Sequence, residues 1–406
     1  MLCHNSHPSG RHFLQIPGPT NVPDRVLRAM DFPTIDHRGP EFQVLSKKVL
    51  TDLKKIFQTQ SHVIIYPASG TGGWEASLVN TLSPGDHVLM YETGHFATLW
   101  KKLADRLSLK AEFMGGDWHR GVDAAKIEAR LTEDSAYEIK AVCIVHNETS
   151  TGVTSNIPAV RLAIDNAKHP ALLIVDTISS LASIDYRHDE WGVDVTVGCS
   201  QKGLMLPPGM AFNSISAKAI AASQHAKLPR SFWSWNEILE ANKNGFWPYT
   251  PPTNLIYGLS EACDMLLEEG LENVFKRHER HAEATRQAVR AWGMELMCRD
   301  PAEYSHSLTA VVMPKDEAGQ FYNADELRKI ILRNFNMSLG TGLSKVAGWV
   351  FRIGHLGDFN DLALIGTLAG VEMGFELAGV PYLKGGVQAA MSHLCASAPN
   401  VLTRKG

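Results

Sequence analysis

The chain has 406 residues, 44% hydrophobic and 20% charged, with a net charge of −4. Its length exceeds one typical hydrophobic core, so two domains are expected. The mild negative charge offers no electrostatic footprint for nucleic acid or an anionic membrane. No apolar run reaches membrane-spanning length, and the opening MLCHNSHPSGRHFLQIPGPT lacks the apolar core of a signal peptide. The six cysteines (Cys3, Cys143, Cys199, Cys263, Cys298, Cys395) are scattered without a CxxC pair. They read as free thiols in a reducing compartment, and a cytoplasmic location is expected. The seventeen histidines form no HExxH-like pair, so no metal site is expected.

Residues 1–21 predict a Pro/Gly-punctuated arm, draped over something rather than folded alone. From 22 to 269, helical patterns such as 158–169 alternate with short apolar runs. The runs at 61–67, 86–92, 140–148, 171–177 and 193–200 predict buried strands. This alternation predicts an α/β fold with a mostly parallel sheet sandwiched by helices. One long helical pattern, beginning at LSEACDM and ending at RAWG, then leads into a smaller C-terminal α/β domain, 270–395. That domain has strands at 308–314 and 348–356 around a helix at 323–335, and residues 396–406 form a tail.

Ligands of open parallel sheets sit beyond the carboxyl ends of the strands. The first such end carries ASGTGGWEASLVN, where the bare amide of Gly70, the hydroxyls of Ser69 and Thr71 and a helix N-terminus suit a phosphate. The alternative is a plain glycine-rich turn. Glu75 stands where a dinucleotide fingerprint needs its third glycine, and no P-loop Gly-Lys-Ser/Thr is present, so the site is sized for one phosphate. The run ALLIVDT places Asp176 at the end of a buried strand. A carboxylate there needs a cation or several donors. It reads as the partner of a protonated ring nitrogen, or else as a helix cap. In VGCSQKGLMLPPG, Lys202 has no acidic neighbour. A lysine kept dry has a lowered pKa and becomes an amine nucleophile; the alternative is a lysine snorkelling from a strand edge.

A phosphate cradle, a buried aspartate and a sequestered lysine together are the anchors of pyridoxal 5′-phosphate. Two further strand ends fit them. NETSTG offers Ser150 to the ring's O3′ or to the Lys202 side. YETGHFATLW offers Phe96, which either stacks on a pyridine ring or packs into the core.

The segments SGTGGWEA, NETSTG, VDTISSLASIDYRHDEWGVDV, GCSQKGLMLPPG and KVAGWVFRIGHLG resemble those of the class V aminotransferases, which are fold-type I pyridoxal-phosphate enzymes. Within that family the likeness points to the bacterial serine–glyoxylate group, related to the alanine–glyoxylate enzymes. It runs from IPGPTNVP to GGVQAAM. The resemblance implies that Lys202 bonds the cofactor aldehyde, with Gln201 beside it, and that Asp176 meets the pyridine nitrogen. It implies that Ser69, Gly70 and Thr71 hold the phosphate, that Ser150 lies by the ring and that Phe96 stands where the animal enzymes stack a tryptophan. Thr250 is implied to serve the phosphate of a neighbouring subunit, which makes a homodimer or higher homo-oligomer with shared sites the expectation. The aromatic preceding that threonine is either Trp247 or Tyr249.

Arg352 is implied to grip the substrate carboxylate; its alternative is a surface ion pair. The expected reaction is amino transfer from L-serine to glyoxylate, with aspartate or alanine as alternative donors. A lyase or desulfurase is a further alternative, with Cys298 the nearest thiol. Aspartate would need a second cation, for which Arg38 is the one candidate near the entrance.

Overall fold

The computed structural model describes residues 10–398, so Cys3 and most of the 396–406 tail lie outside the described residues. A seven-stranded sheet forms the larger layer, in the spatial order His62–Ala68, Gly209–Ile215, Val195–Cys199, Leu172–Asp176, Ile139–Val145, His87–Tyr91, Lys110–Met114. Only Gly209–Ile215 runs against its neighbours; the pairs from Val195–Cys199 outward are parallel. This is the mostly parallel α/β sheet read from the sequence. Its central strands are apolar on both faces because helices cover both. Gly73 of helix Gly70–Thr81 faces the side chain of Val197, while Phe57 of helix Pro40–Phe57 packs at Gly198 on the opposite side.

Two strands of this sheet escaped the sequence reading. Lys110–Met114 is an edge strand with no fully buried residue, so its sequence carries no apolar run. Gly209–Ile215 starts directly behind the Pro207-Pro208 turn and reads as the end of that loop. The long helical pattern is two helices, Thr253–Glu269 and Leu271–Ala291. Gly270 separates them with φ +82, a left-handed conformation that glycine adopts without a Cβ penalty.

A second, five-stranded sheet orders Phe13–Gln15, Met337–Thr341, Val350–Gly354, Leu308–Val312 and Glu295–Leu296. The arm therefore contributes a strand of its own, parallel to Met337–Thr341. Helices Leu271–Ala291, Ala324–Phe335 and Asp361–Ala378 bury a separate apolar core against this sheet, including Trp292, Phe351 and Phe375. Past Gln15 the arm crosses Val350–Gly354 so closely that a Cβ on Gly354 would overlap Ile16 O. No helix among the described residues is long and apolar enough to cross a membrane.

Candidate active site

Five carboxyl ends of the large sheet, the end of the arm and one strand of the small sheet converge on a single place. The turn after His62–Ala68 opens helix Gly70–Thr81, with Ser69 as its N-cap residue. Neither hydroxyl is spent on the cap: Ser69 makes no side-chain cap bond, and Ser69 and Thr71 are exposed. Gly70 is tucked beneath, where a Cβ would overlap Ile178 Cδ1. The Gly70 and Thr71 amides thus stay open to an anion, while those of Gly72 and Gly73 donate to Ser69 O.

Asp176 ends the central strand and is 3% exposed. Ile178 N donates to its Oδ1 at 2.6 Å, so the capping alternative holds for a turn rather than a helix. Trp74 Nε1 donates to Oδ2 at 3.1 Å. Burial raises the carboxyl to about 7, with nearby Glu148 adding to the rise while the two donors and Lys202 oppose it.

Lys202 is buried, and its Nζ donates to Pro17 O of the arm. Burial lowers its amine to about 8; Arg352 pushes the same way, against Cys199 and Asp176. The snorkelling alternative is thereby excluded. Gly18 lies directly on the lysine stem, where a Cβ would meet Nζ at 2.6 Å, and its φ of +88 also suits glycine alone. Gln201 precedes it with a buried Oε1 that has no hydrogen-bond partner.

Phe96 lies half-buried in the first turn of helix His95–Arg106. Ser150 is fully buried; its Oγ accepts from His95 N at 2.9 Å and donates to Glu148 Oε1 at 2.7 Å. Glu148 itself is 0% exposed and also takes the amides of Phe96, Ala97 and Ser150 at 3.3, 3.1 and 3.0 Å. This carboxylate anchors the N-terminus of the helix that presents Phe96. The sequence reading missed it by weighing only the hydroxyls of NETSTG. Its one signal was an acidic residue next to a strand end that offers no cation.

Arg352, on Val350–Gly354, is 6% exposed and pairs with no carboxylate among the described residues, which speaks against the surface ion pair. Its Nε donates to Thr341 O at 2.8 Å and one terminal nitrogen to Thr149 O at 2.7 Å. The second contact spans from the small sheet to the NETSTG loop. Burial lowers the guanidinium to about 10, with Glu148 opposing and Arg328 assisting. Glu148 therefore acts on His95, Asp176 and Arg352, and Lys202 interacts with Asp176 and Arg352, joining the five into one charged cluster.

Thr250 is exposed in the loop before helix Thr253–Glu269. The two aromatics before it differ in kind. Trp247 is spent in the core, donating Nε1 to Ile65 O at 3.1 Å and packing on Phe42. Tyr249 stacks on Phe232 at 4.4 Å and keeps a buried hydroxyl without a partner.

Residues 12–342 match the model of the family described as aminotransferase class V. The chain belongs to the class V aminotransferases. It is 47% identical to a serine–glyoxylate aminotransferase of Methylorubrum extorquens, over 95% of this chain and 96% of that protein. It is 46% identical to an L-aspartate–glyoxylate aminotransferase of Paracoccus denitrificans, over 93% and 95% of the two chains. The pyridoxamine–pyruvate aminotransferase of Mesorhizobium loti shares its fold with a TM-score of 0.88 at 26% identity, covering 97% of this chain and all of that one, 100%.

As a class V aminotransferase this is a pyridoxal-phosphate-dependent transaminase of the α/β fold-type I architecture. The residues present fit that cofactor. The open helix N-terminus matches its phosphate, the buried carboxyl its basic ring nitrogen and the dry amine its aldehyde. Gln201 Oε1 and Tyr249 OH are buried polar atoms still lacking a partner. Cys298, the thiol weighed for a desulfurase, is buried, and burial pushes it up to about 12. It donates to Asp300 O and Glu303 O, which is the setting of an inert structural cysteine.

Proposed function

We propose that this transaminase moves the amino group of L-serine to glyoxylate, giving hydroxypyruvate and glycine in a ping-pong cycle. The observation that carries the choice of substrates is Arg352, a buried cation that pairs with no carboxylate among the described residues and whose neighbouring arginine is already engaged. Arg328, close enough to influence Arg352, is spent on Leu339 O at 2.8 Å and on Asp325 at 2.8 Å. Arg38 is exposed in a turn whose Asp36 carboxylate accepts the Arg38 amide. One carboxylate clamp suffices for serine and glyoxylate, whereas aspartate presents a second charge. Alanine fits the clamp equally well but leaves the polar surroundings unpaired.

Bound pyridoxal phosphate supplies an aldehyde that takes up the amino group and a ring that draws electrons from the substrate Cα. In this reading Lys202 would hold the cofactor through its aldehyde and, as a free amine, would move the proton at the substrate Cα. Asp176 keeps the ring nitrogen protonated. Ser69, Gly70 and Thr71 hold the phosphate, Phe96 covers one ring face, and Ser150 and Gln201 border its edge. Arg352 orients every substrate through the α-carboxylate. Thr250, with the Tyr249 hydroxyl beside it, serves the phosphate of a second subunit, so the working form is a homodimer or larger. The unit boundaries that go with this are an arm, 1–21, a cofactor domain, 22–269, and a smaller domain, 270–395, with a tail, 396–406.

The test is to measure glycine formed from glyoxylate with serine, aspartate or alanine. A higher kcat/KM for serine is expected; a higher value for aspartate overturns the choice of donor and leaves the transaminase intact.

A further inference from the structure

Trp74 lies in the helix that opens at the phosphate turn, yet it points away from solvent and is 3% exposed. Its ring stacks on Trp100 of helix His95–Arg106, centroids 5.7 Å apart and planes 13° from parallel. The stack leaves one polar atom of Trp74 to be satisfied, and that atom meets Asp176 Oδ2 at 3.1 Å. The other carboxylate oxygen is held by Ile178 N at 2.6 Å. Donors on two different oxygens fix the plane of a carboxylate, which either one alone leaves free to turn. The indole is also the one side-chain donor that the carboxylate of Asp176 has among the described residues.

We propose that Trp74 is a positioning residue: its indole N–H fixes the plane of the Asp176 carboxylate and favours its ionised form towards the cofactor ring. This rests on the reading of Asp176 as the ring-nitrogen partner. The charged and titratable groups around Asp176 are Glu148, Lys202, Cys199 and the Tyr186 hydroxyl. Glu148 disfavours the carboxylate and Lys202 favours it, so a neutral, directional donor supplies stabilisation that neither charge replaces. The Trp100 stack denies the indole other rotamers. The same two tryptophans also join the helix of the phosphate turn to the helix that carries Phe96.

Trp74→Phe removes the donor and keeps the stack. In the cofactor-loaded enzyme kcat should fall about tenfold, with the KM for serine within about twofold of native. The ring-nitrogen resonance of 15N-labelled cofactor should move from the pyridinium towards the neutral position. Trp292→Phe deletes an equivalent indole–carboxylate bond, to Glu372 at 3.0 Å in the small domain, and should leave both unchanged. A native kcat and an unmoved resonance in Trp74→Phe, with Asp176→Asn inactive, overturn the proposal for Trp74 alone. Full activity in Asp176→Asn overturns the reading beneath it. A measurement on the unsubstituted, cofactor-free protein guards against a variant that fails to fold. The Trp74 Nε1–H resonance should titrate with the Asp176 carboxyl near pH 7 and lose that step in Asp176→Asn; a flat resonance overturns the proposal.

Discussion

An amine that titrates at about 8 rather than in the ordinary lysine range is half uncharged at pH 8. Capture of the aldehyde by the cofactor-free protein should therefore accelerate through pH 8, and stopped-flow absorbance will show whether the midpoint lies there or near 10. Asp176 behaves in the opposite sense. Its carboxyl is raised to about 7 in the folded protein, so the cofactor-free fold is favoured while the group is protonated. That contribution is complete below the unfolded value near 4 and is lost as the pH rises through about 7. Thermal unfolding of the cofactor-free protein should show stability falling between about pH 4 and pH 7, with a flatter profile in Asp176→Asn. An equal slope in the two proteins counts against a buried, proton-binding Asp176. Lys202 and Asp176 could be singled out in the sequence because each is a charge in an apolar run. Glu148 and Trp74 could not. A capping carboxylate and an indole donor declare themselves only through partners brought together by the fold.

Helix termini do much of the positioning. Glu148 gathers two backbone amides at the start of His95–Arg106 together with the amide and hydroxyl of Ser150, and Gly94 must be glycine because a Cβ would meet Ser150 Oγ at 2.5 Å. Glu148→Gln turns an amide NH2 against those donors. It should cost about 1–2 kcal/mol of stability, read by denaturant unfolding, and weaken cofactor retention as Phe96 loses its fixed position. Retention unchanged would separate the cap from the site. The sheet's apolar strands were legible because parallel strands covered on both faces leave an uninterrupted apolar run. Lys110–Met114 was not, since an edge strand with polar neighbours has no such signature. The helix break at Gly270 was hidden because a single glycine inside a helical pattern does not decide between a weak spot and a stop.

At the scale of the whole molecule, the cluster around Lys202 lies within one chain while Thr250 is exposed. If Thr250 serves a second subunit, two damaged chains can mend each other. Thr250→Ala chains mixed with Lys202→Ala chains form heterodimers in which one site has both its lysine and the partner's threonine. Cofactor retention and activity should rise on mixing; no gain would mean that Thr250 acts within its own chain or not at all. The small sheet bears on the same site through Arg352, whose bond to Thr149 O at 2.7 Å ties it to the large sheet. Replacing Arg352 with lysine should therefore raise the KM for serine and for glyoxylate together, by about tenfold or more.

The chemistry of the site converges on one amine. The purified protein loaded with pyridoxal phosphate, reduced with borohydride and digested, should yield a single modified peptide carrying the cofactor on Lys202. Modification of any other lysine, or of none, would contradict the site described here.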